Sequence, residues 1–336
     1  MSATGAQAVA SFENMGVMGF TEVLSRLPAF YQLMKKLKQF MQCQQPQLLI
    51  TIDFPGFNLR LCGEARKLGI PVLYYITPQI WAWGKNRINL MARSVNKVAV
   101  VFPFEPEIYR QRGIEVSFVG HPLLESVRVS GEKGAVKEKL GLPGDLPVLA
   151  LLPGSRVHEV RRLLPDMLKT ALILAQRRKI AVAVSAAPSV PEEEFDRITA
   201  RFSLPVSILR GVNSELLYSS NAAIVASGSA TLEAAILGTP MVIVYRVSPL
   251  SWFIAGRIVS IDHVGMVNIV AGRKIVPEYL QGGIAPERIS VELEEMIFDE
   301  ERRKVIVSNL AGVKAALGSP GASKKVAAIA LGMVGS

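Results

Sequence analysis

The sequence predicts an α/β protein made of two doubly wound domains with parallel sheets, and three observations predict it. Short runs of β-branched and aliphatic residues alternate with amphipathic stretches along nearly the whole chain, as repeated strand–helix units do. The alternation pauses once, at residues 129–147, where Gly131, Gly134, Gly141, Pro143, Gly144 and Pro147 crowd together, and then begins afresh. A length of 336 residues exceeds one ordinary core and suits two. The expected boundaries are 1–146 for the first domain with a helix-bearing linker, 147–318 for the second, and 319–336 for a terminal helix.

Composition narrows the partners. Half of the residues are hydrophobic and a fifth are charged, which leaves little room for disorder. The formal net charge of +10 favours anionic partners such as nucleotide sugars or anionic lipid. Nucleic acid is not expected, because no metal-finger spacing, aromatic-rich strand motif or dense basic reading helix is present. Cys43 and Cys62 are too few for a disulfide framework and lack metal-ligand spacing, so a reducing compartment is expected and no metal. No apolar run reaches eighteen residues, so neither a signal peptide nor a membrane span is read.

The first clear pattern covers residues 20–41. Phe20, Val23, Leu24, Leu27, Phe30, Met34, Leu37 and Met41 recur at helical steps, with Arg26, Lys35, Lys36 and Lys38 on other faces. Pro28 predicts a break into two helices. The apolar face suits core packing; with the flanking cations it also suits an anionic lipid interface. A strand follows at 48–52, with Asp53 at its end, a turn at Phe54-Pro55-Gly56 and a helix over 58–68. Ligands of open α/β sheets gather at the carboxyl ends of strands, so Asp53 is a candidate for chemistry, or else a simple cap.

Residues 71–77 form the next strand, and Trp81 and Trp83 lie in the loop after it, placed for sugar or acyl contact or for packing. Strands at 97–102 and 116–119 end at Phe104-Glu105 and Gly120-His121-Pro122. His121 is thus at a strand end too, where a backbone-bonding role is the common alternative.

After the linker, residues 148–152 form a buried strand that breaks at Pro153-Gly154-Ser155 and delivers Arg156. A small-residue turn leading into a helix collects backbone N–H groups, and Arg adds a bidentate donor, so this turn is a phosphate candidate. An ordinary turn with a surface Arg is the alternative. The helix is expected to begin near Pro165. Further strands are read at 180–186, 206–209, 222–226 and 241–245. Ser227-Gly228-Ser229-Ala230-Thr231 joins the third of these to a helix and offers a second anion a helix N-terminus. Glu233 then stands where a carboxylate can reach a ribose. Asn268 and Gln281 place amide groups in loop-like settings.

In order, Gly16–Gly19, Ile52–Asn58, Pro78–Trp83, Phe118–Pro122, Leu151–Arg156 with Glu159-Val160, Ser227–Glu233, Tyr245-Arg246, Asn268–Arg273 and Glu278–Gln281 resemble the lipid-A-disaccharide synthase family. That family consists of inverting glycosyltransferases with the two-domain GT-B architecture. The resemblance implies that the sugar of UDP-2,3-diacylglucosamine passes to the 6-hydroxyl of 2,3-diacylglucosamine 1-phosphate. It implies Asp53 as general base, and Gly154, Ser155, Arg156, Glu159, Ser229, Ala230, Thr231, Glu233, Asn268 and Gln281 around the UDP-sugar. Trp81, Trp83, His121, Phe20, Leu24 and Leu27 fall on the acceptor or lipid side. No cofactor or metal is implied, and the expected location is the cytoplasmic face of the inner membrane. Family members open with a further strand, Gly/Ser loop and helix, so the first domain is expected to be incomplete. A UDP-N-acetylglucosamine epimerase, sharing the architecture, and a non-catalytic UDP- or lipid-binding remnant are the alternatives.

Overall fold

The computed structural model describes Gln7 and residues 20–82, 87–246 and 263–335, with side chains of the first helix from Pro28 onward. The first half runs α1 (Phe20–Gln44), β1 (Leu49–Ile52), α2 (Pro55–Lys67), β2 (Val72–Tyr75), α3 (Arg87–Ser94), β3 (Lys97–Val100), α4 (Glu105–Arg110) and β4 (Glu115–Phe118). Its strands form a parallel sheet in the order β1-β2-β3-β4. Two short helices follow, α5 (Leu123–Ser126) and α6 (Lys133–Lys139).

The second half runs β5 (Val148–Leu152), α7 (Val157–Arg177), β6 (Ala181–Ala186), α8 (Glu192–Thr199), β7 (Val206–Arg210), α9 (Asn213–Ser219), β8 (Ala222–Ala226), α10 (Ala230–Leu237), β9 (Met241–Tyr245), α11 (Met266–Ala271) and β10 (Glu278–Leu280). Three helices end the chain: α12 (Pro286–Phe298), α13 (Glu300–Ala316) and α14 (Ala322–Val334). The sheet is again parallel, ordered β10-β9-β8-β5-β6-β7. Its order reverses at β5 and β8, so a crevice opens there at the carboxyl ends of the strands.

The period-2 pattern of the strands explains the layers. On β2, Val72 and Tyr74 pack with Phe57, Cys62, Met91 and Tyr109 under α2 and α3, whereas Leu73 and Tyr75 face the other side and join the larger core that continues through the second sheet. β5 and β8 are buried at every position, as central parallel strands covered on both faces must be. β1 differs. It is a sheet edge, and Ile50 and Ile52 remain 43% and 45% exposed, so no described helix covers that face.

Two helices depart from the sequence expectation in the same way. α1 continues through Pro28 and α7 through Pro165, where the sequence predicts a break and a start. A proline removes one N–H from the helical ladder. On α7, Val160, Leu163, Leu164, Met167, Leu168 and Ala171 are buried on both sides of Pro165, and that tertiary packing holds the helix together.

The two halves meet at a close-packed joint. His121 N donates to Leu317 O (2.9 Å), Lys325 Nζ to Val119 O (3.1 Å), and Gly321 N and Ser323 N to Glu125 Oε1 (3.1 and 3.2 Å). Gly120, at φ 87°, has room for no side chain: a Cβ there would lie 2.9 Å from Ser319 O. Glu125 of α5 therefore caps the first turn of α14, a carboxylate placed where a helix N-terminus favours one.

Candidate active site

Asp53 stands at the carboxyl end of β1, exposed, and the backbone around it is strained. Asp53 and Phe54 are successive left-handed residues, at φ 49° and 48°. Each such non-glycine residue costs about 1–3 kcal/mol. The conformation is held by specific bonds. Asp53 N donates to Tyr75 O (3.0 Å), while Asp53 O accepts from Tyr74 Oη and Asn58 Nδ2, both at 2.7 Å. Asn58 Nδ2 also reaches Ile52 O (3.1 Å). Burial drives the Tyr74 hydroxyl pKa far above its ordinary range, so it remains a protonated donor. Pro55 then starts α2 at its first position, where its missing N–H is harmless. The helix thus begins three residues earlier than its apolar pattern announces.

Beside Asp53 opens an apolar groove of about 1050 Å³ between α1 and α2. Phe30, Tyr31, Met34, Phe54 and Phe57 line it, with Lys35, Lys38, Arg60 and Glu64 at its rim. Phe30, Phe54 and Phe57 form a ring cluster with centroids 5.8–6.3 Å apart. Tyr31, Phe54 and Phe57 escaped the sequence reading as site residues. The available signal was the FPGF turn itself, whose strained start turns Phe54 outward. Phe20, Leu24, Leu27 and Trp83 lie outside the described side chains.

Trp81 packs edge-on against Phe104 (5.2 Å), which stacks on Phe102 (5.6 Å), and Phe102 in turn lies 5.3 Å from the His121 ring. The carboxyl ends of β2, β3 and β4 are thereby bound into one aromatic layer. Beneath it sits Glu105, 1% exposed, accepting from Val101 N (3.2 Å), Phe102 N (3.0 Å), Thr77 Oγ1 and Trp81 Nε1 (both 3.4 Å). Burial pushes its pKa up to about 7 against these donors. His121 is tied to the backbone here. Its Nδ1 accepts from Leu123 N (3.2 Å), and burial depresses its pKa to about 4, so it is neutral near pH 7.

In the second half, β5 ends at the Gly154-Ser155-Arg156 turn. Glu159, in the first turn of α7, returns one oxygen to Ser155 N (3.0 Å) and Arg156 N (3.2 Å) and the other to Arg156 Nη1 (2.6 Å). Gly154 is obligatory: at φ 108°, a Cβ would lie 2.9 Å from Glu159 Cβ. Glu159 is thus a carboxylate occupying a nest built for an anion, rather than a free ligand group. Nearby, Gly228 and Ser229 are exposed ahead of α10, Ala230 is half-buried, and Thr231 is buried with its Oγ1 on Gly228 O (2.8 Å). Glu233 is half-buried with no hydrogen-bond partner among the described residues, and burial raises its pKa.

Two residues expected in loops occupy regular structure instead. Asn268 lies within α11, fully buried. It donates to Val276 O (2.9 Å) and Glu278 Oε1 (2.6 Å) and accepts from Ile275 N (2.8 Å) and Val276 N (3.1 Å). Its hydrogen-bonding capacity is therefore used in positioning the approach to β10. Glu278, missed as a site residue, completes the junction by accepting from Val264 N (2.9 Å) and Gly265 N (3.1 Å). Gln281 begins a short 3₁₀ turn at the end of β10, at φ 51°, and its Nε2 is buried without a partner among the described residues. Arg246, at the end of β9, pairs with Asp166 (2.5 Å) and reaches Gln281 O (3.4 Å). Among the described residues, no cluster of His, Cys, Asp and Glu could hold a metal ion.

The family model for lipid-A-disaccharide synthetase matches residues 1–330. This chain belongs to that family. The lipid-A-disaccharide synthase of Syntrophus aciditrophicus (strain SB) is 42% identical over 336 residues, covering 99% of this chain and 88% of the relative. That of Myxococcus xanthus (strain DK1622) is 39% identical, covering 97% and 86%. Among solved structures, UDP-GlcNAc 2-epimerase from Neisseria meningitidis bound to UDP-GlcNAc superposes with a TM-score of 0.65 at 14% identity, covering 98% of this chain and 87% of that one. The spinosyn forosaminyltransferase SpnP superposes at 0.56 and 15% identity, covering 90% and 80%. These distant likenesses establish a fold that glycosyltransferases and epimerases share; the synthetase family assignment rests on sequence.

Proposed function

We propose that this lipid-A-disaccharide synthetase family member transfers the diacylglucosaminyl group of UDP-2,3-diacylglucosamine to the 6-hydroxyl of 2,3-diacylglucosamine 1-phosphate. The products are the β-1,6-linked disaccharide and UDP. The family match along residues 1–330 carries this reading. In the proposed step, Asp53 takes the proton of the acceptor hydroxyl as its oxygen bonds the anomeric carbon, and the bond from that carbon to the diphosphate breaks with inversion. The Gly154-Ser155-Arg156 turn and the α10 start at Ser229, Ala230 and Thr231 receive the departing diphosphate charge. Arg156 exchanges Glu159 for the diphosphate, and Glu233 serves the ribose. Asn268 and Glu278 act by holding the backbone before β10, and the unsatisfied Gln281 amide is available to the donor. The groove beside Phe54 takes an acyl chain, which a water-soluble epimerase substrate would not need.

The test is product formation from radiolabelled donor, run beside calorimetry with UDP. Heat of UDP binding without any disaccharide would reduce the chain to a UDP-binding remnant. Arg156→Ala is expected to weaken UDP binding about 10- to 100-fold, since a hydrogen bond to a charged group contributes about 1.5–3 kcal/mol. An unchanged Kd would remove Arg156 from the donor site.

The membrane surface is proposed as the second partner, engaged peripherally on the cytoplasmic face. No described helix is long and apolar enough to cross a bilayer. On α1, however, Tyr31 is 74% and Phe40 42% exposed beside Lys35 and Lys38. Apolar rings flanked by cations suit an anionic interface. Tyr31→Asp with Phe40→Asp should lower co-sedimentation with anionic vesicles several-fold while leaving thermal stability intact. Retained binding would move the contact elsewhere.

A further inference from the structure

A polar cavity lies at the end of the second sheet opposite to the donor turns. It measures about 360 Å³ and is lined by Lys133 of α6, Tyr218 of α9, Ser220 and Asn221 before β8, Thr239 before β9, and Arg303 of α13. The five residues of β8 separate it from Ser227, about 17 Å along the strand. Nothing in the transferase chemistry calls for it.

Its walls carry positive charge without a counterion. Lys133 Nζ donates to Ser220 O (2.8 Å). Lys137, on the next turn of α6, is buried with its Nζ on Leu146 O (2.8 Å). Arg303 is half-buried and makes one long side-chain bond, Nη1 to Ile297 O (3.4 Å), leaving most of its five N–H donors available. None of the ion pairs among the described residues includes any of these three cations. Asn221 Oδ1 accepts from Val148 N (3.0 Å), and its NH₂ has no acceptor among the described residues.

We propose that this cavity binds a small oxyanion of the phosphate class, held by Arg303 and Lys133. The electrostatics agree with the geometry: burial lowers the Lys133 pKa, and the charges of Lys137 and Arg303 lower it further. An oxyanion between them would turn that repulsion into attraction, and a planar guanidinium suits two of its oxygens at once. Of the two cavity cations, Lys133 already answers Ser220 O at the end of α9. Arg303 is left over.

Inorganic phosphate is the probe. It is titrated into the full chain held at saturating UDP, so that the Arg156 turn is occupied, with sodium chloride of equal ionic strength as the reference. Calorimetry should show saturable binding, and phosphate should raise the unfolding midpoint beyond chloride. Arg303→Gln should weaken that binding at least about tenfold, the loss of one charge-assisted contact. Lys133→Gln should weaken it too, while UDP affinity stays as in the parent. Three results would overturn the proposal: no heat beyond the chloride reference, phosphate binding abolished by UDP, or equal stabilisation by phosphate in parent and Arg303→Gln. The last would assign the cations to the helix ends alone. Should Lys133→Gln fail to fold, Arg303→Gln, half exposed on α13, still decides. Failure of UDP to bind would count against the donor site and leave the phosphate comparison readable.

Discussion

Asp53→Asn is expected to lower turnover a hundredfold or more while UDP affinity changes by less than about twofold. The amide keeps the size of the carboxylate and cannot accept the acceptor's proton, and a positioned general base contributes about 10²–10⁴ in rate. The strained backbone at Asp53 and Phe54 belongs to the same expectation. Tyr74 Oη, Asn58 Nδ2 and Tyr75 O hold main-chain atoms there and not the carboxylate, so the substitution leaves the strain and its restraints in place. Steady-state rates with radiolabelled donor, paired with UDP calorimetry, measure the two quantities separately. Substantial residual turnover would take the base role from Asp53; a matching loss of UDP affinity would place it at the donor instead.

Asn268→Leu should remove a large share of the stability of the fold. Leucine is close in size, yet it leaves Ile275 N and Val276 N without their acceptor and Val276 O without its donor, while Glu278 Oε1 keeps only Gly265 N. Each buried unsatisfied group costs about 1–3 kcal/mol. A loss of at least about 3 kcal/mol is expected, against a typical total of about 5–15 kcal/mol. Denaturant unfolding followed with and without UDP measures it. If Asn268 were instead a direct donor ligand held by nothing else, UDP affinity would fall with stability unchanged. Asn268→Asp is the companion variant: it keeps the acceptor for the two N–H groups and opposes Glu278 with like charge, so its cost should ease on acidification.

Strands β5, β8 and β9 were legible to their ends, because central strands of a parallel sheet are unbroken apolar runs bounded by turn residues. The positions of the candidates Asp53 and Arg156 were legible for a related reason: Asp53 directly follows an edge strand of β-branched residues, and Arg156 the turn after central strand β5. β10 was not, since only three residues, Glu278–Leu280, pair with β9, too few for a period to register. Pro165 misled because a first-turn proline and a mid-helix proline look alike in sequence; the burial of Leu164, Met167 and Leu168 on either side of it distinguishes them.

Side-chain roles divided along the same line. Glu159 reads in sequence as one more group near a phosphate, whereas in the fold its carboxylate sits in the nest and neutralises Arg156. His121 reads as a strand-end residue on the acceptor side or a backbone-bonding histidine, and the fold makes it an acceptor for Leu123 N beside Phe102. Alternation, turn residues and motif order were sufficient for the α/β class, the two-sheet arrangement and the family, because these depend on local patterns repeated along the chain. Which polar groups are free for substrate and which are consumed by the protein was decided only by tertiary structure. Hydrogen bonds such as Asn268 to Glu278, Glu105 to Trp81 and Glu125 to Ser323 join residues whose pairing no local pattern encodes. Burial then sets the charge state of such groups by removing water, and burial is a property of the folded chain.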